Sequence, residues 1–125
     1  MWPLLILHEH EKQGNTKIQK LVFLGKHEFD LDIPYKFTPY HHGPFSKELA
    51  RDMGKLMTLG LVDPLEEEFE LSEKGEKIAQ QIRDELDFSQ IRGISELENY
   101  SRMSLRRLLN LVYEKYPEKS GSPNA

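Results

Sequence analysis

The strongest constraint on the fold comes from one run in the middle of the chain. Leu49, Met53 and Leu56 recur at helical spacing, and Gly60 follows shortly after. Two short stretches, Leu61-Val62-Asp63-Pro64 and Glu68-Phe69-Glu70-Leu71, then flank an acidic tip, Glu66-Glu67-Glu68, and Ser72 stands before a further helical pattern. Apolar residues at that spacing share one face of an α-helix. Glycine just past the last periodic residue accepts the left-handed conformation in which helices commonly end. Alternating stretches on either side of a polar tip form a hairpin, and a serine before a helical pattern is a favoured N-cap. The order is therefore amphipathic helix, β-ribbon, helix, which predicts a mostly helical α+β domain.

The flanking segments extend this reading. Residues 3–12 predict a short helix with Pro3 in its first turn, broken at Gln13-Gly14-Asn15. A helix over 16–28, capped by Asn15 or Thr16, carries Ile18, Leu21, Val22 and Gly25 on one face, while Phe23 points elsewhere, so it is buried from two sides. Ile33, Tyr35 and Phe37 alternate with polar or proline positions, the pattern of an edge strand. His41-His42-Gly43-Pro44 reads as a turn and 45–59 as the central helix. Further helices are expected over 73–86, with Ile78, Ile82 and Leu86 inward, and over 104–116, with Leu105, Leu108, Leu109, Val112 and Tyr116 on one face and Pro117 as the stop. Residues 87–103 read as loosely helical, with Ile91, Ile94 and Leu97 as core contacts. Residues 1–117 form one domain, and 118–125 have the composition of a disordered tail.

At 125 residues the chain suits a single domain with one core. Its formal charge is −4, so any nucleic-acid role must come from a local patch that overcomes the overall field. With no cysteine there is neither a disulfide framework nor a thiolate metal site. The apolar run Met1–Leu7 lacks a basic start, is too short to span a bilayer and is followed at once by His8-Glu9-His10-Glu11. It reads as the buried part of a helix, with the cytoplasm as the expected compartment and no membrane partner.

Three candidate sites emerge. Lys47, Arg51 and Lys55 stand four residues apart and project from one side of the central helix, where they could follow a phosphate line of duplex DNA. The same stripe could instead be an ordinary solvated face, paired with the adjacent Glu48 and Asp52. The aromatic cluster around Phe23, Phe29, Tyr35, Phe37, Tyr40 and Phe45 belongs mostly to the core. Tyr35, Phe37, Tyr40, His41, His42 and Phe45 are also the residues expected to meet a protein partner. Ser46 near His41 and His42 is the one available nucleophile–base pairing, yet it lacks a strained nucleophile turn and is better explained as a helix cap. His8 and His10 face different ways on a helix and make no chelate, so no metal is expected. No glycine loop for phosphates is present, so neither a cofactor nor an enzymatic activity is expected.

Leu56-Met57-Thr58-Leu59-Gly60-Leu61-Val62 followed by Phe69-Glu70-Leu71-Ser72-Glu73-Lys74-Gly75 is similar to the end of the recognition helix and the wing of winged-helix regulators. Lys17-Ile18-Gln19-Lys20-Leu21-Val22-Phe23-Leu24, Tyr35 and Phe37, Tyr40-His41-His42-Gly43-Pro44-Phe45-Ser46-Lys47-Glu48-Leu49 and Val112-Tyr113-Glu114-Lys115-Tyr116-Pro117 resemble the YwgA-type and Panacea (SocA-like antitoxin) group of domains. The resemblance reaches across residues 16 to 117. It implies a non-enzymatic, winged-helix-like module, expected to act as a homodimer either in transcription regulation on duplex DNA or in binding a protein partner such as a toxin. One departure stands out. Where a helix-turn-helix places its first helix directly before the recognition helix, this chain has Pro39 to Pro44, which cannot form one.

Overall fold

Six consecutive residues of α1 (Trp2–His10), from Trp2 to Leu7, are buried, so the first part of this helix has no solvent face. That is why it carries no amphipathic period. α1 packs against elements from the rest of the chain and is the centre of the core rather than a face of it. The computed structural model describes residues 1–120. After α1 come β1 (Gln13–Gly14) and α2 (Asn15–His27). α2 is buried continuously from Ile18 to Gly25, as expected for a helix covered from two sides. Its cap position is Gly14, with no side-chain cap bond, rather than Asn15 or Thr16. Gly14 is held instead by strand pairing.

The predicted edge strand over Ile33–Phe37 does not form. Burial does alternate there, with Leu31, Ile33 and Tyr35 buried and Asp32, Pro34 and Lys36 exposed. The inward residues meet helices, not a sheet. A Cβ on Gly25 of α2 would lie 3.0 Å from Leu31 and 3.2 Å from Ile33, so glycine lets this segment lie close against the helix. Side chains take up its backbone groups. Trp2 Nε1 donates to the Asp32 carbonyl, Lys26 Nζ to the Tyr35 carbonyl, and the Lys36 amide donates to Glu48 Oε1. A segment whose polar groups are met this way has no need of a partner strand.

Pairing begins one step later. β2 (Thr38–Tyr40) and β3 (Gly43–Phe45) form an antiparallel hairpin with Thr38 opposite Phe45 and Tyr40 opposite Gly43. α3 (Lys47–Thr58) follows, capped by Ser46, whose Oγ accepts from the Leu49 amide at 3.1 Å. Leu49, Met53 and Leu56 are buried, and Gly60 leaves the helix at φ +73°. β4 (Val62–Leu65) and β5 (Glu68–Leu71) then pair with Val62 opposite Leu71 and Leu65 opposite Glu68. β5 also pairs with β1, Gln13 opposite Phe69, which gives a three-stranded sheet in the order β1-β5-β4. A ribbon that follows α3 and is completed by a short strand between the first two helices is a winged-helix-like arrangement. Helix α2 precedes α3 but is set back from it by residues 28–46.

Five helices complete the domain: α4 (Glu73–Asp84), α5 (Phe88–Glu96), α6 (Glu98–Ser101), α7 (Leu105–Lys115) and α8 (Pro117–Ser120). Ser72, Asp87 and Ser104 cap α4, α5 and α7 with their side chains. Gly75 in the first turn of α4 is there for space. A Cβ at that position would sit 2.0 Å from the Leu61 carbonyl oxygen. Pro117 ends α7 but also begins α8, where Ser120 is buried and its hydroxyl donates to the Tyr116 carbonyl at 2.6 Å. Residues 118–120 are therefore part of the packed domain, not of a disordered tail. Residues 121–125 of the expected tail lie outside the described residues.

Candidate functional site

α3 presents one apolar and one cationic side, as its spacing requires. Lys47, Arg51 and Lys55 are all exposed, while the opposite edge is buried. Among the described residues none of the three takes part in an ion pair. The two neighbouring carboxylates accept hydrogen bonds from the extended segment instead. Glu48 Oε1 accepts from the Lys36 amide at 2.8 Å, and Asp52 Oδ2 accepts from the Tyr35 hydroxyl at 2.6 Å. Both thus hold the extended segment against α3, and neither pairs with a cation of the stripe, which stands as an exposed, solvated face. Arg51, Gly54, Lys55, Thr58 and Leu59 line a groove along the exposed side, with Leu59 60% exposed.

The direction of α3 is set at its start. Gln19 of α2 donates through Nε2 to the Ser46 carbonyl at 3.0 Å and accepts at Oε1 from the Ser46 amide at 2.8 Å. Both residues are buried. This two-way bond copies a strand pairing with one side chain, and it joins the two helices across the hairpin that separates them. Ser46 is spent on this clamp and on its cap.

The residues expected to meet a partner divide. Tyr40, His41 and His42 are exposed on the hairpin, with Tyr40 58% exposed and its ring 4.6 Å from His41 and 5.5 Å from Phe45 by centroid. Phe45 is half-buried. Phe37 packs edge-on to Phe23 at 5.4 Å and belongs to the rim of the core. Tyr35 is a correction. It is buried, and burial together with its bond to Asp52 pushes its hydroxyl well above the usual tyrosine range. A side chain sealed in this way offers no docking surface.

The histidines near the N-terminus are structural links. His8 Nδ1 meets Glu76 Oε2 at 2.6 Å, and His10 Nε2 meets the Ile94 carbonyl at 2.7 Å. Among the described residues no group of three or more His, Cys, Asp or Glu side chains could hold a metal ion. At the ribbon tip Glu66, Glu67 and Glu68 are exposed, as their sequence implies.

One residue escaped sequence reasoning. Lys20 is 1% exposed, with its ammonium donating to the Pro44 carbonyl at 2.9 Å, and burial lowers its pKa to about 8. Gly43, at φ +87°, makes room for it. A Cβ there would lie 3.1 Å from Lys20 Cε and 3.3 Å from Leu109 Cδ2. The only sequence signal was that Lys20 falls among Ile18, Leu21 and Phe23 on a helix buried from two sides.

Fold and surfaces together define a winged-helix-like domain that offers a cationic helix face and an aromatic hairpin. No family model matches the chain, and neither a curated protein nor a solved structure matches it. No helix among the described residues is long and apolar enough to cross a membrane.

Proposed function

We propose that this chain is a non-catalytic, winged-helix-like regulatory module that contacts duplex DNA through Lys47, Arg51 and Lys55. The observation that carries the reading is that all three cations are exposed on one side of α3 and unpaired, while the neighbouring carboxylates are bound to residues 35 and 36. Unpaired cations on a rigid helix lose little on meeting phosphates. The three glutamates at the ribbon tip keep that tip away from the backbone, because a carboxylate near a phosphate is repelled by on the order of 1 kcal/mol even in water. Three phosphate contacts per chain give weak binding, so the working form in this reading is a homodimer. A low-salt gel shift with duplex DNA tests it. Arg51→Glu is expected to abolish the shift, and an unchanged affinity would remove the proposal.

A second reading is favoured by the hairpin. The exposed Tyr40 and His41 and the half-buried Phe45 form an aromatic cluster of the kind that anchors protein interfaces. It fits a partner-binding module like those of the SocA-like antitoxin group, with a toxin as partner. Co-purification from cells of the source organism is the test, and recovery of no stoichiometric partner would count against it.

A further inference from the structure

The hairpin of β2 and β3 closes over a cavity of about 110 Å³, in which the first turns of α2, from Asn15 to Lys20, face Tyr40, His42, Gly43 and Phe45. That is room for a few non-hydrogen atoms rather than for a folded ligand. Among the described residues no carboxylate lines it.

Two independent features give this cavity one sign. The first is Lys20. An ammonium has three N–H donors, and the Pro44 carbonyl accepts one of them. Among the described residues no acidic side chain pairs with it. A buried cation without a counter-charge is unfavourable, and an anion beside it removes most of that penalty. The second is the start of α2. Its cap residue is Gly14, no side chain caps it, and no acidic residue stands in its first turn. Asn15 and Thr16, at the positive end of the helix, line the same space, and on their other side they line a groove with Glu66, Glu67 and Glu68.

The walls select among anions. Tyr40 and Phe45 contribute aromatic surface, which suits an alkyl chain behind the charged group. With Lys20 and His42 as the basic side chains at a mostly apolar wall, a two-oxygen carboxylate finds its donors, whereas the four oxygens of a phosphate do not. We propose that the cavity binds a carboxylate on a short aliphatic chain, either a free acid or the C-terminus of a peptide. The site is separate from the cationic face of α3 and does not depend on the DNA reading.

The test uses the full chain, with the amide resonances of Thr16 and Gly43 and the ε-methylene resonance of Lys20 followed by NMR at fixed pH and ionic strength. Butyrate is expected to shift all three saturably, with chloride and phosphate at the same ionic strength as comparisons. Lys20→Met is expected to weaken butyrate binding roughly ten-fold or more, as loss of a charged hydrogen bond implies. Tyr40→Ala, which keeps the buried charge and removes part of the aromatic wall, is expected to weaken it roughly five-fold. Lys17→Met, outside the cavity, is expected to leave it unchanged. A butyrate response without a peptide response assigns a free acid. Competition by a short peptide with a free C-terminus, but not by its amidated form, assigns a peptide terminus. The proposal is overturned if butyrate causes no saturable shift, if chloride or phosphate reproduces it, or if Lys20→Met binds as well as the parent. Should Lys20→Met not fold, unchanged affinity in Tyr40→Ala overturns it equally. The gel shift on α3 is unaffected by any of these outcomes.

Discussion

The Tyr35 hydroxyl donates to Asp52 Oδ2 at 2.6 Å and so fastens the extended segment before the hairpin to the middle of α3. Phenylalanine at position 35 keeps the ring packing and removes only the bond. Tyr35→Phe is expected to cost about 1 kcal/mol, a fall of roughly 4 °C in the melting midpoint. The same bond gives a pH signature. Burial and the Asp52 carboxylate raise the folded-state pKa of Tyr35 above its ordinary 10.0. The neutral phenol therefore contributes stability that is fully present below pH 10 and is lost as pH rises toward the folded value. Urea unfolding from pH 9 upward should show the parent losing stability above pH 10 more steeply than Tyr35→Phe.

Lys20 predicts the opposite slope at a lower pH. Its pKa is lowered by burial from 10.5 to about 8, so between these values the unfolded chain binds more protons than the folded one. Stability then rises with pH from about 8 to 10.5 and is lost again as pH falls through 8. Lys20→Met is expected to erase this rise and to be neutral or stabilising by on the order of 1 kcal/mol at pH 7, since it replaces an uncompensated buried charge with a similar apolar shape. Denaturant midpoints at pH 7, 8, 9 and 10 measure both effects. A parent curve flat from pH 8 to 10 would contradict the prediction.

If α3 lies on phosphates, binding must follow counterion release. Three contacts give a slope of log K against log salt of about −2.7, and binding weakens roughly 40-fold between 50 and 200 mM salt. Lys55→Ala should reduce the slope to about −1.8 and weaken binding to all duplex sequences alike. Fluorescence anisotropy over a salt series checks this. A slope unchanged by the substitution places Lys55 off the DNA.

Two glycines within helices should respond in opposite ways to alanine. Among the described residues nothing lies within 4 Å of a Cβ added to Gly54 in α3, so Gly54→Ala should stabilise the domain by up to about 1 kcal/mol through backbone entropy alone. Gly75 in α4 meets the Leu61 carbonyl oxygen at 2.0 Å, so Gly75→Ala must push the helix off the ribbon. A loss of about 2 kcal/mol or more is expected. Thermal melts of the two variants should move in opposite directions.

The core of α3 and the ribbon after it was legible because local rules place it. Leu49, Met53 and Leu56 share a face by helical period alone, Ser46 and Ser72 cap their helices with their own side chains, and Gly60 ends α3 with a conformation that glycine adopts freely. The exposure of Lys47, Arg51 and Lys55 followed from the same period. The alternation of Ile33 and Tyr35 was legible too, but its meaning was not. Period two says that one side is buried, and only packing decides whether a sheet or a helix covers it.

What the tertiary structure alone decided is where long-range polar partners stand. Two residues of β1 carry no pattern, and they are a strand because β5 lies beside them. Lys20 has no visible partner until the Pro44 carbonyl arrives from the hairpin, and Tyr35 reads as a partner-facing residue until Asp52 accepts its hydroxyl. Sequence by itself determines the features written within one helical turn or one strand period, because neighbouring side chains and the backbone supply the whole force. Buried polar residues are settled later, since their partners are brought to them only when the chain closes.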